Sequence, residues 1–269
     1  MTASADARAR APVLDIVAAG KSYRAGIEAL APVDLRVERG EFVTLLGPSG
    51  CGKTTLLNLA AALIEPSSGS VHWWGGDHAS TGAQGRRLAM VFQSPTLMPW
   101  ARIDTNVRLP LDLAGVLRAE ADDAARNALA LVGLADAAHQ LPRELSGGMQ
   151  MRASIARALV TSPDLLLMDE PFGALDEFTR QRLDAELLSM WSARALTIVF
   201  VTHSIVEAVF LSTRVVVMAA RPGRIVTQVD IDEPFPRGDD YRLKPAFAER
   251  CVQLSRMVAK ASGAAGTAR

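Results

Sequence analysis

The sequence is poor in the features that mark secreted or nucleic-acid-binding proteins. Its 269 residues include only two cysteines, Cys51 and Cys251, which lie far apart. A disulfide framework is therefore not expected, and a reducing cytosol is the natural environment. The 29 lysine and arginine residues balance 29 aspartate and glutamate residues, so no overall field favours nucleic acid as a partner. Residues 1–20 contain no continuous apolar stretch of the kind that a secretory signal requires.

Long apolar runs are missing as well. Residues 196–201 and 215–220 form apolar runs that are bounded by polar residues. Each run is far shorter than the ~20 residues that a helix needs to cross a bilayer. No transmembrane segment is predicted, so a role at a membrane would depend on a partner that spans it.

What the sequence does contain is an α/β pattern. Short apolar or alternating segments that precede turns are typical of strands. Strands are predicted at residues 33–37, 42–46, 70–74, 88–92, 165–168, 197–201, 215–218 and 225–229. A helix is expected from Thr54 to about Leu63, because residues 66–69 read Pro-Ser-Ser-Gly and end it.

The pattern also divides the chain into regions. Residues 94 to about 160 lose the strand signal and gain helical spacing, which predicts an α-helical subdomain inserted into an α/β domain at 13–230. Residues 231–269 read as a connection containing proline and charged residues, followed by one helix and a tail of small residues.

The segment between the second predicted strand and the following helix is a complete phosphate loop. Its glycines let successive backbone N–H groups point inward, its lysine supplies a charge for the β- and γ-phosphates, and its first threonine offers a hydroxyl to magnesium. A chance glycine-rich turn is the alternative, but a strand before the loop and a helix after it favour nucleotide binding. The loop comprises Gly47, Pro48, Ser49, Gly50, Cys51, Gly52, Lys53, Thr54 and Thr55.

Two acidic residues follow the buried strand at 165–168. Asp169 is expected at the sheet edge beside the phosphate loop, where its carboxylate can hold magnesium. Glu170, one residue later, would face the γ-phosphate and orient or deprotonate the attacking water. The alternative is that both residues only begin a surface turn before Pro171.

Three further residues stand near strand ends. Gln93 and His203 each follow a predicted strand, so both can project into the same edge cleft, Gln93 as a metal and water sensor and His203 as a clamp on the γ-phosphate. Taken alone, such residues are more often surface or core residues. Tyr23 could stack on an adenine ring or simply fill the core.

A second glycine-rich loop lies about 100 residues beyond the first. Residues 145–150 read Leu-Ser-Gly-Gly-Met-Gln, here called the signature loop. Ser146, Gly147 and Gly148 lead into a helix, so free backbone N–H groups and a positive helix end should meet an anion there. One small domain would then have two phosphate-binding surfaces.

Taken in order, these elements resemble the nucleotide-binding subunit of an ABC transporter. The resemblance rests on Tyr23, the phosphate loop, Gln93, the signature loop, 165–170, 174–176 and His203. It implies a P-loop NTPase core with an antiparallel β subdomain and an inserted α-helical subdomain, with ATP and Mg²⁺ as cofactors. It also implies a homodimer in which the signature loop contacts ATP held by the partner, while 174–176 crosses the seam between subunits.

The resemblance also implies partners and a location. Transmembrane permease subunits and an extracytoplasmic solute-binding protein would complete the system, with this chain peripheral at the cytoplasmic face of the inner membrane. Residues 95–100, 106–107 and 172–176 are similar to bacterial importers of nitrate, sulfonate and taurine. Leu97, Met98 and Trp100 either suit a groove for a permease helix or are ordinary core. A soluble ATPase of the cluster-assembly type remains the alternative.

Overall fold

The computed structural model describes residues 12–23, 26–78, 86–194 and 196–263. Within these ranges the strands form two sheets. Their bounds are β1 Leu14–Tyr23, β2 Ile27–Val37, β3 Phe42–Leu46, β4 Ser68–Trp73, β5 Leu88–Val91, β6 Leu165–Asp169, β7 Thr197–Thr202, β8 Arg214–Ala219 and β9 Arg224–Asp230.

The α-helices of the described residues cover both the predicted insertion and the α/β part. Their bounds are α1 Lys53–Ala60, α2 Ile103–Leu113, α3 Arg118–Leu131, α4 Gly147–Leu159, α5 Glu177–Arg194, α6 Ile205–Leu211 and α7 Pro245–Gly263. Helix α1 ends before Leu63, since Ala62 adopts a left-handed φ of 54° that no helix continues through.

The larger sheet has six strands in the order β5-β6-β7-β3-β8-β9. All neighbouring pairs are parallel except β8 with β9. Strands β3, β6 and β7 are buried along their whole length, as expected for parallel strands covered on both faces. Their carboxyl ends meet at one edge, which brings residues 47, 170 and 203 together.

The smaller sheet is antiparallel, with the order β2-β1-β4. The α/β class with an antiparallel β subdomain is thus confirmed. Strand β1 was not among the predicted strands, and β2 begins at Ile27 rather than at Val33. The register of β1 shifts around Ala18, whose φ is 46°. This irregularity breaks the two-residue alternation on which strand prediction depends.

Helices α2, α3 and α4 lie between β5 and β6 in the chain. Their buried side chains, such as Val107, Leu129 and Ile155, belong to the same apolar cluster as Phe42 and Leu46 of the central sheet. The helical insertion is therefore packed onto the sheet that carries the phosphate loop. The domain limits at 94, 160 and 230 remain predictions.

The C-terminal segment returns to the core. Phe247, Leu254 and Ala261 of α7 are buried at intervals of seven residues, which places them on one face of the helix. Arg237 is buried and donates to the carbonyl oxygens of Val209, Phe210 and Ser212 at 2.8–3.1 Å. These bonds satisfy carbonyls at the end of α6 that the helix itself leaves free.

Candidate functional site

The phosphate loop joins β3 to α1, and its glycines are required by close contacts. A Cβ atom at Gly47 would lie 2.6 Å from the Met218 carbonyl oxygen and 2.7 Å from the Cys51 sulfur. Gly52 has a φ of 86°, and a Cβ there would lie 3.1 Å from the Ala29 carbonyl oxygen. The loop is therefore held against β8 and β2 on both sides, and only glycine fits these positions.

Cys51 points into the core rather than into the loop. Its side chain is fully buried, and burial raises the pKa of its thiol, although Lys53 opposes this. A protonated, inaccessible thiol is not a nucleophile. Cys51 can contribute to a bound anion only through its backbone.

Lys53 is placed by the loop that it belongs to. Its ammonium group donates to the carbonyl oxygens of Gly47 at 2.9 Å and Pro48 at 3.2 Å, and it lies 3.6 Å from Oε1 of Glu170. The side chain is only 5% exposed. A cation held this way is already in position before any anion arrives.

Asp169 lies at the end of β6, next to the start of α1. The Thr54 hydroxyl donates to Oδ1 of Asp169 at 3.1 Å. Burial raises the pKa of Asp169, while the hydrogen bond from Thr54 lowers it. The structure thus brings together a hydroxyl and a carboxylate, both of them oxygen donors.

Glu170 follows Asp169 with a strained backbone. Its φ is 42°, in the left-handed region that costs a non-glycine residue free energy and is often found at functional sites. Its N–H donates to Val201 at 3.0 Å, and its carbonyl accepts from Gly173 at 3.1 Å. These bonds hold the turn and aim the carboxylate away from the sheet. The side chain is 20% exposed, so it is accessible from the cleft.

His203 approaches Glu170 from the neighbouring strand. Its Nδ1 lies 3.1 Å from Oε2 of Glu170, and its side chain is 56% exposed. Lys53 contacts one oxygen of the Glu170 carboxylate, and His203 contacts the other. The carboxylate is therefore fixed from two sides.

An open cleft of about 560 Å³ is lined by Lys53, Thr54 and Glu170. Asp169 and His203 contact these residues but are not part of the lining, so the prediction that His203 projects into the same cleft as Gln93 is not met by the lining. One part of its wall carries Lys53, Gln93 and Glu170 with the phosphate loop, and another part carries two segments that sequence reasoning missed. The full lining comprises Ile27, Glu28, Ala29, Ser49, Gly50, Gly52, Lys53, Thr54, Thr55, Gln93, Glu170, Arg221, Pro222 and Gly223.

Tyr23 is absent from the cleft lining that the described residues form. It pairs across the β1–β2 hairpin with Ile27, which does line the cleft. The Tyr23 ring is 46% exposed, and the Lys21 ammonium lies 5.6 Å from the ring centre. The ring stands beside the cleft and does not fill the core.

The signature loop lies outside the cleft lining. Ser146 is the N-cap of α4, and its hydroxyl accepts from the Met149 N–H at 3.3 Å. Ser146 and Gly147 are exposed. A Cβ at Gly148 would lie 3.0 Å from Cγ2 of Thr179, so this glycine packs against the start of α5.

A buried glutamate and a half-buried arginine near His203 were also missed. Arg180 donates to the Leu175 carbonyl at 2.9 Å, and its Nε lies 3.4 Å from Oε1 of Glu207. Glu207 accepts from the hydroxyl of Thr202, the residue before His203. This chain of contacts connects 174–176 with the strand end that carries His203. Nothing in the local sequence pattern indicates a pair so far apart in the chain.

The loop after Gln93 is tied to the signature helix. Arg157 of α4 donates to the carbonyl oxygens of Pro95 at 2.9 Å and Thr96 at 2.8 Å. Asn106 is fully buried and bonds both the N–H and the carbonyl of Met98. The segment at 95–101 is therefore fixed from two sides.

The three residues Leu97, Met98 and Trp100 differ in burial, so one interpretation does not fit all of them. Leu97 packs against the apolar core, and Met98 is half-buried. Trp100 is 77% exposed, so it is not core. Single exposed aromatic residues are common on protein surfaces, so the groove for a permease helix stays a prediction for Trp100.

Two features, a membrane-spanning helix and a cluster of metal-binding side chains, are absent from the described residues. None of the helices in that part of the chain is long and apolar enough to cross a membrane. No cluster of three or more His, Cys, Asp or Glu side chains could hold a metal ion there.

Comparisons with known proteins agree with this geometry. The family model described as ABC transporter matches residues 30–173. The chain is 46% identical over 234 residues to the taurine import ATP-binding protein of Rhizobium johnstonii, covering 84% of this chain and 87% of that one. It is 42% identical over 219 residues to the aliphatic sulfonates import ATP-binding protein of Bacillus licheniformis, covering 81% and 82%.

A solved structure shows the same architecture in a dimer. It is a dimeric, post-hydrolysis ATP-binding cassette bound to ADP and phosphate, with a TM-score of 0.72, 31% identity, and coverage of 82% of this chain and all of that one. The matched part therefore spans most of this chain. The chain is therefore an ABC-type ATPase and belongs to the ABC transporter family.

Proposed function

We propose that the cleft binds ATP with Mg²⁺ and that Glu170 directs water to the γ-phosphate. The observation that carries the proposal is the pair of contacts on Glu170, with Lys53 at 3.6 Å from one carboxylate oxygen and His203 at 3.1 Å from the other. A base held between a phosphate-binding cation and a polar side chain has the position that phosphoryl transfer to water requires.

The donor set beside Lys53 fits Mg²⁺. The Thr54 hydroxyl and the Asp169 carboxylate are 3.1 Å apart, and Mg²⁺ takes one or two protein oxygens while water and substrate phosphates fill its other positions. A larger cluster of protein ligands is therefore not needed. The ion would neutralise charge on the phosphates. Gln93, which lines the cleft, is the further oxygen donor within this set.

Each residue then has a distinct task. The N–H groups of Gly47, Gly50 and Gly52 and the positive end of α1 hold the phosphates. Lys53 leaves its carbonyl partners for the β- and γ-phosphates. Glu170 accepts a hydrogen bond from the attacking water, and His203 keeps that carboxylate oriented.

The signature loop completes a second copy's site rather than its own. Ser146 and Gly147 are exposed and lie outside the cleft of their own subunit. A helix end stabilises a nearby anion by at most about 2 kcal/mol, whereas enzymes reduce barriers by about 8 kcal/mol or more. The loop therefore orders the γ-phosphate across a dimer, and Lys53 and Glu170 contribute to the chemistry.

The subunit would work at the cytoplasmic face of a membrane beside permease subunits. The exposed Trp100 lies in the loop that follows Gln93, so a permease contact there is joined to the cleft through a short fixed segment. By similarity to taurine and sulfonate import proteins, the cargo is a small anion such as nitrate, sulfonate or taurine, delivered by an extracytoplasmic solute-binding protein. These relatives disfavour a permease-free cluster-assembly role.

Replacement of the proposed base tests the function. We expect Glu170→Gln to bind ATP with parent affinity and to lose at least about 100-fold in turnover, since general bases contribute about 10²–10⁴. Phosphate release at saturating ATP and a fluorescent ATP analogue measure the two properties. Glu65→Gln, at an exposed glutamate outside the cleft lining, is the matched control. Turnover of Glu170→Gln at the parent rate would refute the assignment.

A further inference from the structure

The turn between β8 and β9 forms part of the cleft wall. Gly223 fits between the phosphate loop and β2, since a Cβ there would lie 2.6 Å from the Cys51 carbonyl oxygen and 2.7 Å from the Ala29 carbonyl oxygen. Its carbonyl accepts from the Ala31 N–H at 2.8 Å, and its own N–H donates to Ala29 at 3.2 Å. The turn is therefore fixed to two elements that build the cleft.

Arg221 projects from this fixed turn. Its φ is 62°, a left-handed conformation that is uncommon for a long side chain. Arg224 holds the turn from behind by donating to the carbonyl oxygens of Ala220 at 3.3 Å and Pro222 at 3.4 Å. The strained backbone of Arg221 is thus stabilised by its neighbours, as is common at ligand sites.

The guanidinium of Arg221 has no partner among the described residues. Arg221 is exposed and lines the cleft, and none of the described residues forms a hydrogen bond or an ion pair with it. A guanidinium carries five N–H donors and can also stack on a planar ring. Such a group, on a fixed turn that lines the proposed nucleotide cleft, is available to a ligand.

The position of Arg221 indicates which part of the ligand it meets. Lys53, Thr54 and Glu170 define the phosphate end of the proposed ATP site. Arg221 instead lies on a turn that is bonded to β2 through Gly223. Ile27 and Glu28 of β2 line the cleft together with Arg221. A carboxylate at this end repels phosphates but can accept hydrogen bonds from hydroxyl or amino groups, and an apolar side chain suits a flat base.

We propose that Arg221 contacts the nucleoside of the bound nucleotide, through its base or ribose, and so contributes to affinity but not to the chemical step. The inference rests on the proposed ATP site. Uniform binding of ground and transition states changes KM and leaves kcat unchanged. Arg221 thereby provides a nucleoside contact on the part of the cleft wall that the β8–β9 turn forms beside β2.

Competition binding tests this assignment in the full chain. A fluorescent ADP analogue is displaced by ATP, ADP or inorganic tripolyphosphate, which lacks the nucleoside. We expect Arg221→Ala to weaken ATP and ADP by the same factor of about 10, the size of one hydrogen bond to a charged group, and to leave tripolyphosphate unchanged. KM for ATP should rise by the same factor at constant kcat. Arg126→Ala, at an exposed arginine on α3, is the matched control.

The other outcomes are separable. If the parent chain does not bind the analogue, the proposed ATP site itself is wrong. If the parent binds and Arg221→Ala binds equally well, the inference about Arg221 is wrong. Weakening of tripolyphosphate together with ATP would place the guanidinium on the phosphates and overturn the nucleoside contact. Arg221→Lys keeps the charge without the planar group, and recovery of full affinity in this variant would contradict recognition by a planar guanidinium.

Discussion

The phosphate loop and the signature loop have the same local chemistry but different surroundings. Both are glycine-containing turns that enter a helix. Gly47 is pressed against β8 and Cys51, and Lys53 is 5% exposed. Ser146 and Gly147 are exposed, and a Cβ at Gly147 would meet no atom within 4 Å. The phosphate loop is enclosed by its own subunit at Gly47 and Lys53, whereas Ser146 and Gly147 of the signature loop are open to solvent.

The difference shows that contacts within the subunit explain one of these glycines but not the other. Gly47 is explained by contacts within the chain. Gly147 is not, since open space surrounds the position and its φ is not left-handed. A close approach by something outside the subunit is the remaining reason, and an anion held by a second copy matches the free N–H groups of a helix start. We therefore expect the signature loop to be half of a site that a second copy completes.

The largest expected effect is on ATP binding, which a substitution in the phosphate loop should weaken and one in the signature loop should not. Lys53→Ala should weaken ATP binding of the isolated chain by about 100-fold or more, because two charge-assisted hydrogen bonds to phosphate are lost at about 1.5–3 kcal/mol each. Ser146→Ala should leave it unchanged. Displacement of a fluorescent ATP analogue measures both, with Lys260→Ala, at an exposed lysine of α7, as the control. Equal weakening by the Lys53 and Ser146 variants would remove the distinction.

A smaller effect concerns assembly. Ser146→Arg on a Glu170→Gln background should bind ATP normally and reduce ATP-dependent dimerisation at least about 10-fold, since a long side chain would occupy the space of the partner's phosphate. Size-exclusion chromatography with light scattering and ATP measures the dimer. Ser192→Arg, at an exposed serine near the end of α5, is the control. Undiminished dimerisation would show that the signature loop does not meet a partner.

Site residues could be predicted from the sequence where the elements that position them are adjacent in the chain, and not where distant segments position them. The phosphate loop, Asp169 and Glu170 depend on a strand, a turn and a helix that are adjacent in the chain, and period-two and glycine patterns reveal them. Arg221 and Gly223 depend on β9 returning beside β8 and on the turn reaching β2, contacts that no local pattern encodes. Arg180 and Glu207 are similar, because two separate helices bring them together.

The prediction missed strand β1 for a different reason. Its sequence alternates too poorly to be recognised, since Ala18 bulges and the register shifts after Ile16. Prediction of the signature loop came from its motif and the helix after it. The resemblance also predicts that this loop serves the partner's site and faces away from its own cleft, and in the structure the loop lies outside the cleft lining.

The smallest expected effect is on the free energy of unfolding, compared between one glycine substitution in each loop. Gly47→Ala should lower the free energy of unfolding by about 1–3 kcal/mol, the usual cost of overpacking, because its Cβ would lie 2.6 Å from the rigid Met218 backbone. Gly147→Ala should change it by no more than about 0.5 kcal/mol, as an exposed substitution with open space around it. Urea denaturation without nucleotide measures both, with an unchanged m-value as the check that the transition is the same. If Gly147→Ala is as destabilising as Gly47→Ala, the signature loop is packed within its own subunit, and its glycines need no partner to explain them.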